Sequence, residues 1–495
     1  MRLLLCMALF ALSSATYACG SKSGTPVTPV LPDDKAGPID APPAKPAPKS
    51  EDWAGTLVLP NALVDIVLHF TPASDDKWTA TIDVPNQKGL QLSHVTYTAD
   101  KIQFALEKPD NPRYNETYVF SRQDSAALGK VLLGGQAFHA KLVRLNEGQP
   151  PMSVITRPQT LKPPFPYATR DVTIEVAKDA SLAGTLTIPE GKGPFPAVLM
   201  ISGSGQQDRD ETVFGHKPFA LIADRLARAG IATLRTDDRG VGKTTGAIGT
   251  LDTDISDAKA AFEWLVKQPE VDPKRAGILG HSVGGTIAPF VATKSKVAFI
   301  VGLAAPGVSG VELVPMQLEI DLNARQLPEK LVKVLVEGQR KVGKAIAAGK
   351  EAAVKAALRE NFAEAAMAMG APRPSDAELD KAIADKMDEV KNPWAVSFFK
   401  IDPAVAWAKL RIPALLVTGS KDTQVPADIN FARIKAAAAK AGNKAITTEK
   451  REGLNHLYQH ATTGLVDEYG EIEETFDPET LELIAKWVVE RTAKR

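Results

Sequence analysis

The sequence is poor in cysteine and carries no excess of charge of either sign. Only two of its 495 residues are cysteine, Cys6 and Cys19, and both lie close to the N-terminus. Any product that has lost residues 1–18 therefore has no intramolecular disulfide. Lysine plus arginine and aspartate plus glutamate number 59 each. Without a net field to hold a polyanion, nucleic acid is not expected as a partner.

The apolar stretch at the N-terminus is too short to span a bilayer. Leu3 to Leu12 follow Met1-Arg2 and precede small residues, which is the pattern of an export signal. We expect a signal peptide at 1–18 and a disordered, proline-rich tether at 19–50. Because Ala18-Cys19-Gly20-Ser21 resembles the end of a bacterial lipobox, we expect lipidation of Cys19, with simple secretion as the alternative. The expected location is the cell envelope, on the periplasmic or outer-membrane side, with that lipid as the only link to the membrane.

Residues 51–148 are predicted to form a small all-β domain. Short β-rich runs such as Leu63 to Phe70, Trp78 to Val84 and Lys101 to Leu106 are separated by turn clusters, with no helical period between them. A proline-rich passage follows. It predicts a linker at 149–168.

After the linker, short apolar runs alternate with helix-length patterns. The runs predicted as strands are Ala197 to Ser202, Ile231 to Thr236, Ala276 to Gly280, Val297 to Leu303 and Pro413 to Gly419. Such alternation predicts an α/β domain with a mostly parallel sheet, formed by residues 169–307 and 409–495. Residues 308–408 between these parts are rich in Ala, Lys and Glu and show no strand pattern. We expect them to form a helical cap over the mouth of the site.

Gly280-His281-Ser282-Val283-Gly284 has the G-x-S-x-G pattern of a nucleophile elbow. A predicted strand precedes it, and a predicted helix, Thr286 to Thr293, follows it. In that context the turn lifts the serine above an α/β-hydrolase sheet, and the bracketing glycines permit the strained backbone. We therefore predict the α/β-hydrolase fold, with Ser282 as its nucleophile.

A serine hydroxyl needs a base to remove its proton, so a histidine is required. Seven histidines are present, and the chain order serine, acid, histidine of this fold leaves His456 and His460. His456 follows the last predicted strand, Ala445 to Glu449, and is the candidate base; His460 is the alternative. Asp422 follows another predicted strand directly and is the candidate acid. Asp428, at the start of the next helix, is its alternative.

An acyl-transfer site also needs backbone donors for its oxyanion. We expect one to be the amide of Val283, which follows the nucleophile, and the other to be that of Ser204 in the loop Gly203 to Asp210. The segment Gly240 to Thr244 ends like a phosphate-binding P-loop, but Asp237 stands where that motif needs glycine. The segment is therefore predicted to be a loop after a strand.

A set of motifs resembles the bacterial α/β-hydrolases of the EstD-type esterase or serine aminopeptidase-like family. Besides the elbow, they are Gly203-Ser204-Gly205 with Asp208-Arg209-Asp210, Asp237 to Gly242, Gly419 to Asp422, and Leu454-Asn455-His456. The β-rich module also resembles the N-terminal module of such enzymes, in Trp53 to Leu57 and Thr81 to Gln87. The resemblance implies hydrolysis of carboxylic esters, commonly with short acyl chains.

These features lead us to expect a small-molecule ester as the substrate and an acyl-enzyme on Ser282. Neither a metal nor an organic cofactor is required for this chemistry. Peptide or aminopeptide hydrolysis by the same triad is the near alternative, because peptidases use the same parts. An inactive envelope protein that only binds is a hypothesis from a different class. No feature of the sequence favours one oligomeric state over another.

Overall fold

The computed structural model of the protein describes residues 49–60, 62–73, 77–108, 115–134 and 136–493. The predicted signal peptide and Cys19 lie outside the described residues, as does most of the predicted tether. The chain forms two compact units, divided between Thr156 and Arg157, within the segment predicted as a linker. Among the helices of the described ranges, none has the length and apolar character needed to cross a membrane.

The N-terminal unit is a nine-stranded antiparallel sheet with the order β4-β3-β2-β1-β9-β8-β7-β6-β5. Its strands are β1 Glu51–Leu59, β2 Ala62–Pro72, β3 Trp78–Val84, β4 Gln87–Gln91, β5 Ser93–Tyr97, β6 Lys101–Leu106, β7 Glu116–Gln123, β8 Ala126–Leu133 and β9 Gln136–Arg144. The first strand pairs with the last, from Trp53 opposite Arg144 to Leu57 opposite Ala140. The Leu92 amide also donates to the Ala80 carbonyl oxygen at 3.0 Å. The sheet is therefore almost closed into a barrel.

Alternating side chains fill the inside of this sheet, as the period-2 pattern requires. Phe70 stacks on Tyr97 with ring centroids 4.4 Å apart, and Phe104 stacks on Tyr118 at 4.5 Å. The Trp53 indole donates to the Tyr97 hydroxyl at 2.9 Å, so the buried polar atom of this aromatic core is satisfied.

The second unit contains an eight-stranded sheet with the order β10-β11-β13-β12-β14-β15-β16-β17. Its strands are β10 Tyr167–Ala177, β11 Ala180–Pro189, β12 Phe195–Ile201, β13 Ala232–Thr236, β14 Val271–His281, β15 Ile300–Leu303, β16 Ala414–Gly419 and β17 Ile446–Arg451. The first two strands run antiparallel, and the six from β13 to β17 are parallel. The carboxyl ends of the parallel strands share one edge, where ligands bind in such sheets.

Helices cover both faces of this sheet, so the fold is that of an α/β-hydrolase. They are α1 Pro218–Arg228, α2 Leu251–Leu265, α3 Val283–Ala292, α4 Gly310–Ala324, α5 Glu329–Ala347, α6 Glu351–Ala368, α7 Asp376–Lys391, α8 Pro393–Lys400, α9 Ala404–Trp407, α10 Ala427–Lys440 and α11 Pro478–Thr492. Alternate residues of β12 point into two separate cores. Val198 and Met200 pack with α1 and α11, whereas Ala197 and Leu199 pack with α2 and α3.

The segment between β15 and β16 is helical, and no strand interrupts it in this part of the described chain. Its six helices, α4 to α9, occupy the place predicted for the cap. Helix α8 is bonded to the start of α2: the Trp394 indole donates to Asp254 Oδ2 at 2.7 Å, and the Leu251 amide donates to Ser397 Oγ at 2.8 Å. These bonds attach the insertion to the sheet domain beside the carboxyl end of β13.

Candidate active site

Ser282 occupies the sharp turn between β14 and α3. Its backbone φ is +50°, a value that residues with a side chain rarely adopt. The Ser282 amide donates to the Leu303 carbonyl oxygen at 2.8 Å. A methyl group on Gly280 would lie 2.2 Å from the Gly284 carbonyl oxygen, and one on Gly284 would lie 2.1 Å from the Ile201 carbonyl oxygen. Both flanking positions therefore require glycine, as the elbow pattern predicts.

Asp422 and His456 form a buried pair at the same edge of the sheet. Asp422 follows β16, His456 follows β17, and their side chains are 0% and 5% exposed. His456 Nδ1 lies 3.0 Å from Asp422 Oδ1 and 2.9 Å from Oδ2. The amides of Gln424 and Val425 also donate to Oδ1, at 2.9 Å and 2.8 Å. These two donors fix the plane of the carboxylate.

A second histidine and carboxylate lie beside the elbow. His281 Nδ1 is 2.8 Å from Glu211 Oε1, and His281 Nε2 is 3.1 Å from the backbone oxygen of His456. The two imidazole rings have centroids 4.7 Å apart. Burial lowers the pKa of His281, but the charge and hydrogen bond of Glu211 outweigh burial, so that the pKa is raised above its ordinary value.

The loop after β12 passes directly over Ser282. A methyl group on Gly203 would lie 3.4 Å from Ser282 Cβ. The Gly203 amide donates to Glu211 Oε1 at 2.6 Å and is therefore already used. Within the described residues, the Ser204 and Val283 amides have no recorded protein acceptor. Both predicted oxyanion donors are thus unoccupied by intramolecular bonds.

Four consecutive side chains anchor this loop. Asp208 accepts the amides of Asp210 and Thr212 at 3.0 Å and 2.9 Å. Arg209 binds Asp237 with two guanidinium nitrogens, at 3.0 Å and 2.7 Å. Asp210 pairs with Arg235, and Glu211 binds His281. Glu211 was not among the residues predicted from the sequence; its signal is that it is the last of these four charged residues and directly follows the loop Gly203 to Asp210.

The segment that ends like a P-loop braces the same region. Thr244 Oγ1 donates to the Asp237 carbonyl at 3.0 Å and accepts the Ala183 amide at 2.8 Å. The next helix begins only at Leu251, so the segment lacks the helix N-terminus that holds phosphate in a P-loop. It serves as a structural loop after β13.

Two carboxyl groups beside this loop are shifted towards their neutral forms. Burial, followed by the charges of Asp254, Glu211 and Asp237, raises the pKa of Asp238 from 3.8 to about 8. Burial also raises the pKa of Asp254 to about 6, although the bond from Trp394 opposes the shift.

The alternative residues lie elsewhere. His460 is 65% exposed and pairs with Glu474 at 2.9 Å. Asp428 is 84% exposed in the first turn of α10 and pairs with Lys450 at 2.9 Å. His460, Glu474 and Asp477 bring donor atoms within 4.8 Å of one another, but Asp477 caps α11 through the Thr480 amide at 2.8 Å. Asp477 thus has a structural role as the cap of α11.

Residues 179–446, more than half of the chain, match the sequence profile of the X-Pro dipeptidyl-peptidase (S15) family. Esterase EstD of Thermotoga maritima is 28% identical over 298 residues, which are 59% of this chain and 61% of EstD. An uncharacterized protein of Mycobacterium tuberculosis is 33% identical over 146 residues, which are 30% of this chain and 48% of the relative. The chain thus spans between about half and three fifths of the length of these curated relatives.

Solved structures that are similar to this chain include an esterase of Pyrococcus furiosus and the carboxylesterase EstE1 from a metagenomic library. The first has a TM-score of 0.41 at 17% identity and covers 69% of this chain and 98% of its own. The second has a TM-score of 0.41 at 20% identity, covering 68% and 92%.

Proposed function

The chain belongs to the X-Pro dipeptidyl-peptidase (S15) family, whose members are hydrolases, and on that premise we propose that it hydrolyses carboxylic esters of short acyl chains through an acyl-enzyme on Ser282. The observation that carries this proposal is the buried Asp422–His456 pair beside the serine elbow. The described residues show no hydrogen bond between Ser282 Oγ and His456; such bonds often tighten only when substrate binds.

Two histidines lie beside Ser282, each with its own carboxylate, and their second ring nitrogens favour His456 as the base. His281 Nε2 faces a carbonyl oxygen, which cannot donate, so this nitrogen carries a proton and has no lone pair for the serine. His456 Nε2 has no recorded partner among the described residues, while Asp422 holds the Nδ1 proton. Its lone pair is therefore available to the nucleophile.

In the proposed reaction, His456 Nε2 takes the proton of Ser282 as Oγ attacks the ester carbonyl carbon. The Val283 and Ser204 amides donate to the oxyanion, a contribution of roughly 3 kcal/mol for each donor. His456 then gives the proton to the leaving alkoxide, which departs as the alcohol. Water, deprotonated by the same nitrogen, cleaves the acyl-enzyme and releases the acid.

Peptide hydrolysis is the second candidate, because the family is named for enzymes that release X-Pro dipeptides. The name of EstD favours esters. A series of p-nitrophenyl esters from acetate to octanoate, compared with X-Pro and aminoacyl p-nitroanilides, separates the two. Higher kcat/KM on the anilides than on every ester would contradict the ester proposal.

A fluorophosphonate probe tests the nucleophile and separates an enzyme from a binding protein. We expect stoichiometric labelling of the wild type and none of Ser282→Ala. Labelling that survives this substitution would move the nucleophile to another residue. A wild type that neither labels nor turns over any of these substrates would favour the envelope binding protein.

For location, we propose export and a lipid on Cys19. The support is the apolar run and the lipobox-like Ala18-Cys19-Gly20-Ser21. Palmitate incorporation should be lost in Cys19→Ser and kept in Cys6→Ser. Secretion of an unlabelled wild type would point to simple cleavage instead.

A further inference from the structure

We infer that Glu211 and His281 form a positioning pair, which sets the oxyanion loop and the general base relative to Ser282 at the same time. The inference rests on the proposed function, since it takes His456 as the base and Ser204, in the loop Gly203 to Asp210 (the oxyanion loop), as an oxyanion donor. Neither residue of the pair is given a chemical step. Their role follows from what each hydrogen bond fixes.

The hydrogen-bond partners of Glu211 and His281 determine how many protons the pair holds. His281 Nε2 faces the carbonyl oxygen of His456 at 3.1 Å and must donate to it. One further proton is needed between His281 Nδ1 and Glu211 Oε1, which are 2.8 Å apart, because a lone pair facing a carboxylate would repel it. Whichever atom holds that proton, the pair has no net charge and can stay buried without a counterion.

One end of the pair fixes the oxyanion loop. Glu211 Oε1 accepts the Gly203 amide at 2.6 Å as well as bonding to His281. Gly203 immediately precedes the proposed donor Ser204, so its orientation decides where the Ser204 amide points. Glu211 has a φ of +53°, a strained conformation for a residue with a side chain, and such strain persists where surrounding contacts enforce it.

The other end fixes the base. The bond from His281 Nε2 holds the backbone of His456 itself, and the two rings lie 4.7 Å apart. His281 precedes Ser282 directly, so the same residue also sets the start of the elbow. The titratable groups that interact with the pair include Asp422, His456, Tyr458 and Asp238, and none of them replaces either bond.

Two substitutions of His281 test its two hydrogen bonds separately. Gln places an amide nitrogen near the former Nε2 and can still donate to the His456 carbonyl, whereas Asn places one near Nδ1 and can still bind Glu211. Glu211→Gln cannot accept from Gly203 and donate to His281 Nδ1 with the same atom. We expect each variant to lose about 10- to 100-fold in kcat on the best p-nitrophenyl ester, by analogy with small displacements of reacting groups, with KM nearly unchanged.

The matched control is Glu474→Gln. It breaks a carboxylate–histidine pair of similar length, His460 with Glu474 at 2.9 Å, which also accepts a backbone amide at 2.8 Å, but at the surface. Its kcat should equal that of the wild type. Thermal unfolding identifies any variant that has lost its fold, and the two His281 variants keep the test decisive if Glu211→Gln does not fold.

A readout independent of turnover is the low-field resonance of the proton in the Glu211–His281 hydrogen bond, measured by proton NMR. It should be present in the wild type, Ser282→Ala and Glu474→Gln, and absent from Glu211→Gln. The double variant Glu211→Gln, His281→Asn should be no slower than the worse single variant, because the residues act as a unit. An active wild type whose folded Glu211 and His281 variants keep kcat within about threefold overturns this inference alone. A wild type that neither labels nor turns over esters overturns the proposed function, and the inference with it.

Discussion

Replacing Asp422 by asparagine removes a charge and keeps the volume and most hydrogen bonds of the side chain. Oδ1 accepts the amides of Gln424 and Val425, at 2.9 Å and 2.8 Å, so these donors keep an oxygen at that position. The new amide nitrogen must then replace Oδ2, which lies 2.9 Å from His456 Nδ1. Because that nitrogen donates, His456 takes the tautomer with its proton on Nε2. In this tautomer it cannot accept the proton of Ser282.

The wrong tautomer in a serine triad costs about 10⁴-fold in kcat, which corresponds to roughly 5 kcal/mol of transition-state stabilisation. We expect this loss with p-nitrophenyl butyrate at neutral pH. KM should be nearly unchanged, since the Asp422 side chain is fully buried behind His456. The rate constant for fluorophosphonate labelling should fall together with kcat, because the probe needs the same activated serine.

Asp428→Asn is the matched control, since it makes the same chemical change at the exposed carboxylate that pairs with Lys450. Its kcat should stay at the wild-type value. The reasoning is refuted if folded Asp422→Asn, checked by thermal unfolding, retains more than about a tenth of the wild-type kcat. The same holds if Asp428→Asn shows the large loss, which would move the acid to that position.

Three further changes test other parts of the structure. Gly284→Ala should lower kcat by about 10²-fold, because its methyl group, 2.1 Å from the Ile201 carbonyl oxygen, must push the elbow away from the oxyanion loop; an unchanged kcat would contradict the close approach. Asp238 has a folded-state pKa raised from 3.8 to about 8, so the free energy of unfolding should fall as pH rises through that range, by about 1.4 kcal/mol for each unit at most. Asp238→Asn should reduce this loss of stability between pH 5 and pH 9 in urea unfolding and leave the smaller contribution of Asp254, whose pKa is raised to about 6; an equal loss in both proteins would refute it. Gln339 is 1% exposed, and its amide has no hydrogen-bond partner among the described residues, so Gln339→Met should raise the free energy of unfolding by about 1–3 kcal/mol; a loss would point to an unseen partner.

The parallel strands could be predicted because they are buried on both faces and read as short apolar runs. Predicted Pro413 to Gly419 is β16 within one residue, whereas β14 begins five residues before predicted Ala276, because residues 272–275 are one proline and three charged residues and show no apolar run. The hairpin of β10 and β11 was not predicted. Strand β10 lies at the sheet edge with only Ile174 fully buried, so it has no apolar run to mark it.

The proposed triad could be located because each member follows a strand and the order along the chain is restricted. Ser282 carries its own five-residue pattern, and Asp422 and His456 follow β16 and β17. Glu211 could not be found in this way, because its contact with His281 joins residues 70 positions apart. A charged residue is common in a loop, and the second position of an elbow accepts many residue types, so neither residue stands out in the sequence. Only the folded backbone reveals their bond.

The bond between Glu211 and His281 also changes how a histidine in this site should be judged. Each of the two histidines has a carboxylate at its Nδ1, so a neighbouring carboxylate does not show which histidine is the general base and which one only positions other groups. The distinction lies at Nε2, which faces a carbonyl oxygen in His281 and has no recorded partner among the described residues in His456. The supporting pair should therefore limit the reaction at alkaline pH. Loss of the proton shared by Glu211 and His281, where the pKa of His281 is raised by Glu211, would weaken the bond that fixes the oxyanion loop and slow the reaction. A kcat profile with a falling alkaline limb that disappears in Glu211→Gln would identify the supporting pair, and an unchanged limb would assign it to another group.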